Sequence, residues 1–311
     1  MKKKGAFASG PTGTPKGFPE GPWAPIQAHA STRKYFLGTW RGKQALLSDF
    51  GVDLDGRERF ATLAKWFGEK GLPVPEIYNV PQGCSWLVQE AVMGNAASKV
   101  RWSNELEEEA ARIADGFPRC RDWPETLPLL EMDGNRLRFE LSFFRVHFLE
   151  GFLNVATEDH IRESLKRLGE QVASYPRALA HRDFHSDNLI LERDTGRLRV
   201  VDFQDALLAP RAYDMASMAV DAYREVSPAE ARRWMRRAGD ASGCGEREFQ
   251  NIALQRALKA LGTFGFQVTR RKNVRYLPPI ARTVRYALRY MQAPSDEWEP
   301  VISALRQVEV G

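Results

Sequence analysis

Residues 181–205 read HRDFHSDNLILERDTGRLRVVDFQD, and the fold of the whole chain turns on this stretch. Leu189-Ile190-Leu191 is a short apolar run of strand type. Arg193-Asp194-Thr195-Gly196 follows as a turn, with Gly196 suited to a positive φ. Leu198-Arg199-Val200-Val201 is a second strand, so the pattern predicts a β-hairpin. Asn188 stands just before the first strand and Asp202 just after the second. Paired strands lie about 4.8 Å apart, so both ends of the hairpin open into one small volume. Asp183 lies five positions before Asn188, on the loop that feeds the hairpin.

Two carboxylates and one amide oxygen are hard donors, of the kind Mg²⁺ takes alongside substrate phosphates. Transfer of a phosphoryl group from ATP needs such an ion to neutralise the triphosphate, and an acceptor hydroxyl that is oriented and loses its proton. In that chemistry Asp202 is expected as the metal-bridging carboxylate and Asn188 as the second metal ligand, with Asp183 as base or orienting group. A rival use of the same residues is a transition-metal site built on His181-x-Asp183-x-His185. The other histidines, His29, His147 and His160, form no second motif to complete it.

Upstream, residues 1–25 are rich in Gly and Pro without apolar periodicity and are expected to be a disordered tail. The run GPTGTPKG at 10–17 does not fit a phosphate-binding loop. Tyr35–Trp40 and Gln44–Leu47 read as strands around an Arg41-Gly42 turn. Phe60, Leu63, Ala64 and Phe67 mark an amphipathic helix that Gly71 and Pro73 end, and Trp86–Gln89 reads as another strand. Residues 26–93 are therefore expected to form a small α+β lobe. Residues 94–311 are expected to form a mostly helical lobe interrupted by the hairpin, with helical stripes such as Leu106/Ala110/Ile113 and Ile161/Leu165/Leu168/Val172.

The motif of His181–Asn188 followed by Asp202-Phe203-Gln204-Asp205 resembles the catalytic loop and metal-binding element of the protein-kinase-like superfamily. Closer still is the aminoglycoside phosphotransferase branch, which adds a later Asp opening a helix, here Asp214. Within it, Ser31–Phe36, Gly71–Pro75, Phe139-Glu140-Leu141 and Asp202–Ala206 look like the bacterial anomeric kinases of N-acetylmuramate and N-acetylglucosamine. The resemblance covers about 30–291. It implies a bilobal α+β fold of protein-kinase type, an enzyme using ATP and Mg²⁺, and a small sugar as substrate in peptidoglycan recycling. By the same likeness Gln89, Glu90 and Val92 belong to a hinge that meets adenine. Ser31, Thr32 and Arg33 form a turn over the phosphates, Arg33 as a phosphate contact. His181 is implied to be structural, and Asp214 to brace the catalytic loop beyond the helix-capping role its position alone explains.

One departure is the missing lysine inside the third strand. Gln44–Ser48 holds none, which leaves Lys43 at the strand start and Glu58 as the candidate partner. That gap keeps open a nucleotide-binding pseudokinase with a scaffolding role. His185 either contacts the acceptor or buttresses the loop, Asp187 is a solvated residue, and Asp205 is an acid close to the metal and substrate. Glu140 and Arg145, on an expected Phe139–Leu153 helix, are candidates for the sugar site.

Composition fits a soluble globular protein of 311 residues with 43% hydrophobic and 27% charged residues. No apolar run reaches the ~18 residues of a membrane span, and Met1–Lys4 leads into Gly and Pro rather than an apolar secretory core. Three cysteines without C-x-x-C spacing suit the cytoplasm. A net charge of +5 without a basic-aromatic block argues against nucleic acid. A monomer without membrane partners is expected. From Gly245 to Gly311 there are eleven Lys/Arg and six Asp/Glu. If that stretch lines the acceptor site, it suits a neutral or anionic acceptor better than a polycationic aminoglycoside, the other phosphotransferase substrate to weigh.

Overall fold

A computed structural model describes residues 18, 19, 21–26, 33–291 and 298–309. The chain divides between Val92 and Met93 into two compact units. In the first, β1 (Ala24–Ile26), β2 (Lys34–Trp40), β3 (Lys43–Asp49), α1 (Leu54–Glu69), β4 (Ile77–Asn79) and β5 (Trp86–Glu90) follow one another. Among the described residues the strands form one antiparallel sheet in the order β1-β2-β3-β5-β4. Arg41 and Gly42 both take positive φ, +48° and +81°, the geometry of a two-residue hairpin turn that matches strand twist. Alternation along β2, β3 and β5 turns Phe36, Ala45, Leu47, Trp86 and Val88 into one buried cluster. Asp53 caps α1 by accepting the Gly56 N–H at 2.9 Å, and Phe60, Leu63, Ala64 and Phe67 are its buried face.

The end of the stretch expected as a tail over 1–25 is built into the first unit. Phe18 and Trp23 pack against the sheet core and β1 starts at Ala24, because the aromatic side chains find apolar surface there. Residues 1–17, with the GPTGTPKG run, lie outside the described residues.

The second unit runs through β6 (Gly94–Ala96), α2 (Asn104–Arg119), α3 (Gly134–Phe144), α4 (Asp159–Ser174), β7 (Arg177–Ala180), β8 (Leu189–Glu192), β9 (Leu198–Val200) and β10 (Leu207–Pro210). It continues through α5 (Tyr213–Ala219), α6 (Pro228–Ser242), α7 (Glu246–Thr269), α8 (Leu277–Tyr290) and α9 (Glu299–Glu309). The predicted hairpin is β8–β9, with Leu189 opposite Val200 and Leu191 opposite Leu198, and β6 pairs with β8 on its other side. Strands β7 and β10 form a separate antiparallel pair that brackets the loop between them.

The helix expected over Phe139–Leu153 begins earlier, at Gly134 behind the Asp133 cap, and becomes π-helical over Arg145–Glu150. Helix α7 packs on this segment through Gly262 and Gly265. A Cβ at Gly262 would lie 2.8 Å from Phe144 Cα, and one at Gly265 would run into the His147 carbonyl. Backbone approach this close requires glycine. It brings α7 against α3, and with it two cations discussed below.

Candidate active site

The loop between β7 and β8 is held at both ends by buried carboxylates. Asp214, in the first turn of α5, accepts the His181 N–H at 2.7 Å and the Arg182 N–H at 3.1 Å. Asp221, just past α5, accepts the Ser186 N–H at 2.9 Å and the Tyr223 N–H at 3.0 Å. Burial pushes the Asp214 carboxyl up, against His181 and the two N–H donors. His181 is fully buried. Its Nε2 donates to the Val201 carbonyl at 3.0 Å, and its ring meets Phe117 and Phe184 edge-on, so it ties the loop to the end of the hairpin. Arg182 has φ +79° and Asp202 φ +65°, a left-handed conformation uncommon for residues with side chains.

The Asp183 carboxylate meets two cations from α7. Lys259 Nζ donates to Oδ1 at 2.8 Å, and Arg256 Nη1 lies 3.6 Å from the same oxygen. Arg256 is itself fixed by Ser217 Oγ at 2.8 Å and by the face of Tyr213. Burial pushes the Asp183 carboxyl up, but Lys259, Arg256 and Arg182 together outweigh it and hold the group well below the usual carboxylate range. For Lys259, burial pushes the ammonium down while Asp183 supports its charge. Sequence reading counted Lys259 and Arg256 only within a net charge. Their signal was local: two cations three apart in the run Ile252–Leu261, apolar but for them and Gln255, which demand a buried acid.

Around the hairpin mouth, the Val201 N–H donates to the Asn188 carbonyl at 3.1 Å, so Asn188 stands opposite Val201 with Asp202 next in line. Asn188 Nδ2 donates to the Asp183 carbonyl at 2.9 Å, which turns the amide oxygen the other way. Asp202 Oδ1 accepts from Gln204 Nε2 at 2.7 Å, leaving the other carboxylate oxygen to a ligand. An amide oxygen and a carboxylate oxygen so arranged fit a hard divalent ion such as Mg²⁺. The His185 ring packs tilted against Tyr223 with ring centroids 4.7 Å apart, and its Nε2 is 3.5 Å from Asn188 Nδ2. Burial pushes its pKa down, against the pull of Asp221 and Asp183. Asp187 is exposed and accepts from Ser98 Oγ. Asp205 lies 4.0 Å from Arg182.

A cavity of about 550 Å³ adjoins these groups, with Arg136, Phe139, Glu140, Phe143, Arg182 and Lys259 in its wall. Glu140 accepts from Gln255 Nε2 at 2.8 Å and lies 3.5 Å from Arg182, so this sugar-site candidate lines the cavity. Arg145 does not. Five residues beyond Glu140 is about 140° around a helix, and its guanidinium is tied to Glu150, with Thr157 3.4 Å away.

In the first unit, Gln89 pairs with Leu46 on one side and Ile77 on the other, and its side chain donates to Ser48 Oγ at 2.9 Å. The Glu90 N–H is taken by the Glu76 carbonyl at 2.8 Å, and its carboxylate by the Glu76 N–H. Val92 closes the unit. Arg33 lies over the Phe50 ring at 4.4 Å, while Ser31 and Thr32 lie outside the described residues. Lys43 faces Glu76 at 3.9 Å and Glu58 bonds Arg57, so the two do not pair with each other. The strand interior holds fully buried Ala45 and Leu47 instead of a lysine.

Residues 22–249 match the model of the phosphotransferase enzyme family, a span that contains the pinned loop, the hairpin and Asp214. The chain belongs to the phosphotransferase enzyme family. This phosphotransferase is 28% identical over 283 residues to the N-acetylmuramate/N-acetylglucosamine kinase of Pseudomonas aeruginosa, covering 84% of this chain and 81% of that one. The kinase of the same name from Neisseria meningitidis serogroup B is 34% identical over 139 residues, and the match spans 41% of each chain. Among solved structures, the ethanolamine kinase of Plasmodium vivax superposes with a TM-score of 0.61 at 14% identity, over 84% of the phosphotransferase and 81% of that chain. The expected α+β class of protein-kinase type, with a β-rich N-terminal part and a helical C-terminal part, holds. So does the resemblance to the aminoglycoside phosphotransferase branch and its amino-sugar kinases.

Proposed function

We propose that the chain transfers the γ-phosphoryl group of ATP to the anomeric hydroxyl of N-acetylmuramate or N-acetylglucosamine. The observation that carries this is the Asp183 carboxylate bonded by Lys259, which also lines a cavity of about 550 Å³. Asp183 takes the acceptor hydroxyl and orients it. Its depressed pKa suits it to positioning and to receiving the proton late, because an anion so well stabilised is a weak base in the ground state. Asn188 and Asp202 would hold Mg²⁺, which when bound neutralises the triphosphate charge. His185, packed on Tyr223, steadies Asn188. For the nucleotide, the backbone of Gln89, Glu90 and Val92 is assigned to adenine and Ser31, Thr32 and Arg33 to the phosphates. The Glu90 N–H is already committed to the sheet, which leaves carbonyl groups and Val92 for that contact.

The acceptor rests on the named relatives and on the cavity. About 550 Å³ lies within the range of small-molecule sites. Phe139, which is 66% exposed, and Phe143 offer flat apolar surface to a pyranose ring. Three cations against the single acid Glu140 in that wall oppose a polycationic aminoglycoside. The setting that fits is cell-wall recycling in the cytoplasm, by a monomer acting on a free sugar. No helix among the described residues is long and apolar enough to cross a membrane.

The test is ADP release by the purified chain with Mg·ATP and a panel of N-acetylmuramate, N-acetylglucosamine, kanamycin and choline. Turnover of the N-acetyl sugars is expected. Turnover of kanamycin alone would replace the proposed acceptor, and nucleotide binding without any turnover would favour a scaffold.

A further inference from the structure

Lys259 and Arg256 both address Oδ1 of Asp183, and neither addresses Oδ2. A carboxylate gripped through one oxygen cannot rotate freely, so the other oxygen has a fixed direction. The grip is not incidental to folding. The two cations rise one helical turn apart on α7, which Gly262 and Gly265 let pack close against α3 and its π-helical extension. Arg256 is immobilised by Ser217 and Tyr213, whereas Lys259 has Asp183 as its hydrogen-bond acceptor and also lines the cavity. The Lys259 side chain is only 15% exposed, so its charge acts through little water.

We propose that Lys259 is a positioning residue for phosphoryl transfer: it clamps Oδ1 of Asp183 so that Oδ2 is presented to the acceptor hydroxyl in the adjoining cavity. The role of Asp183 as the acceptor-facing carboxylate, proposed above, is its premise. The clamp works on the transfer step: among the described residues of its own unit, Lys259 pairs with Asp183 and makes no hydrogen bond or ion pair to Asn188 or Asp202.

The experiment compares the full chain with Lys259→Met, Lys259→Gln, Lys259→Arg and Asp183→Asn in steady-state ADP release with N-acetylglucosamine, with kcat and KM for ATP read separately. For Lys259→Met, kcat is expected to fall about ten- to hundredfold, the worth of one charge-assisted hydrogen bond. KM for ATP should stay within about twofold. Lys259→Arg, which keeps the charge, should recover most of the lost kcat, and Lys259→Gln should not. If Lys259→Met does not fold, the kcat of Lys259→Gln decides. A neutral variant with wild-type kcat, or Lys259→Arg as slow as Lys259→Gln, would overturn the clamp. Asp183→Asn separates the two levels. If it retains wild-type kcat, the role of Asp183 itself fails. If it is inactive while the neutral Lys259 variants match wild type, only the clamp fails.

Discussion

The Ser186 N–H donates to Asp221 Oδ2 at 2.9 Å across 35 residues of sequence, and so fixes the end of the β7–β8 loop opposite to the one Asp214 holds. Asp221 is completely buried and is paired with Arg224, which also bonds Glu230 and lies over Trp102. Two carboxylates from one short helical region thus set the loop that carries Asp183 and Asn188.

Asp221→Ala strands two backbone N–H donors and unbalances Arg224. A buried donor left without a partner costs about 1–3 kcal/mol, so urea denaturation should show a loss of at least that order. The kcat should fall as well, since the loop loses its register. Unchanged stability would mean that the Ser186 contact carries no load.

Asp202→Ala should weaken Mg·ATP binding. Loss even of a partner that merely supports a metal ligand costs about 10–100-fold in metal affinity, and Asp202 is assigned as a ligand itself. Titration of a fluorescent ATP analogue with and without Mg²⁺ checks this. Metal-dependent affinity equal to wild type would remove Asp202 from the metal site.

The hairpin was legible because its determinants are local: strand runs of three and four residues around Gly196, whose φ is +65°. The same holds for the Arg41-Gly42 turn and for the buried stripe of α1. What pairs across long separations was not legible. Lys259 is 76 residues from Asp183, and Asp221 is one acid among many until α5 places it under Ser186. Arg145 was grouped with Glu140 because both fall on one expected helix, while helical rotation and the π-helical stretch send its side chain to Glu150. Phe18 and Trp23 were lost in a Gly/Pro-rich background, although two large aromatics in a supposed tail signal burial.

The pH dependence has a definite sign. Asp183 is held below its ordinary value, so it stays ionised through neutral and mildly acidic pH, and kcat should be flat down to about pH 5. His185 is also pushed below its ordinary 6.5. A group with a depressed folded pKa contributes stability fully above its unfolded value and loses it as pH falls through the folded one. Unfolding midpoints should therefore drop from pH 7 to pH 5, and His185→Gln should reduce that slope. A slope unaltered in His185→Gln would show that other groups set it.

Arg136 stands in the cavity wall, and no acidic partner for its guanidinium is found among the described residues. Under the proposed function, it is the cation to test against the lactyl carboxylate that N-acetylmuramate has and N-acetylglucosamine lacks. Arg136→Ala should raise KM for N-acetylmuramate by about tenfold, the loss of one hydrogen bond to a charged group, and leave KM for N-acetylglucosamine within about twofold. Equal effects on both sugars would place the arginine elsewhere in recognition.

The most direct measurement is single-turnover phosphoryl transfer from Mg·ATP to N-acetylglucosamine, wild type beside Asp183→Asn, with the site of phosphorylation read by ³¹P NMR. A sugar 1-phosphate from wild type is expected, formed at least about 100-fold more slowly by Asp183→Asn while Mg·ATP still binds. Phosphate at another hydroxyl, no transfer by wild type, or equal rates in the two proteins would contradict it.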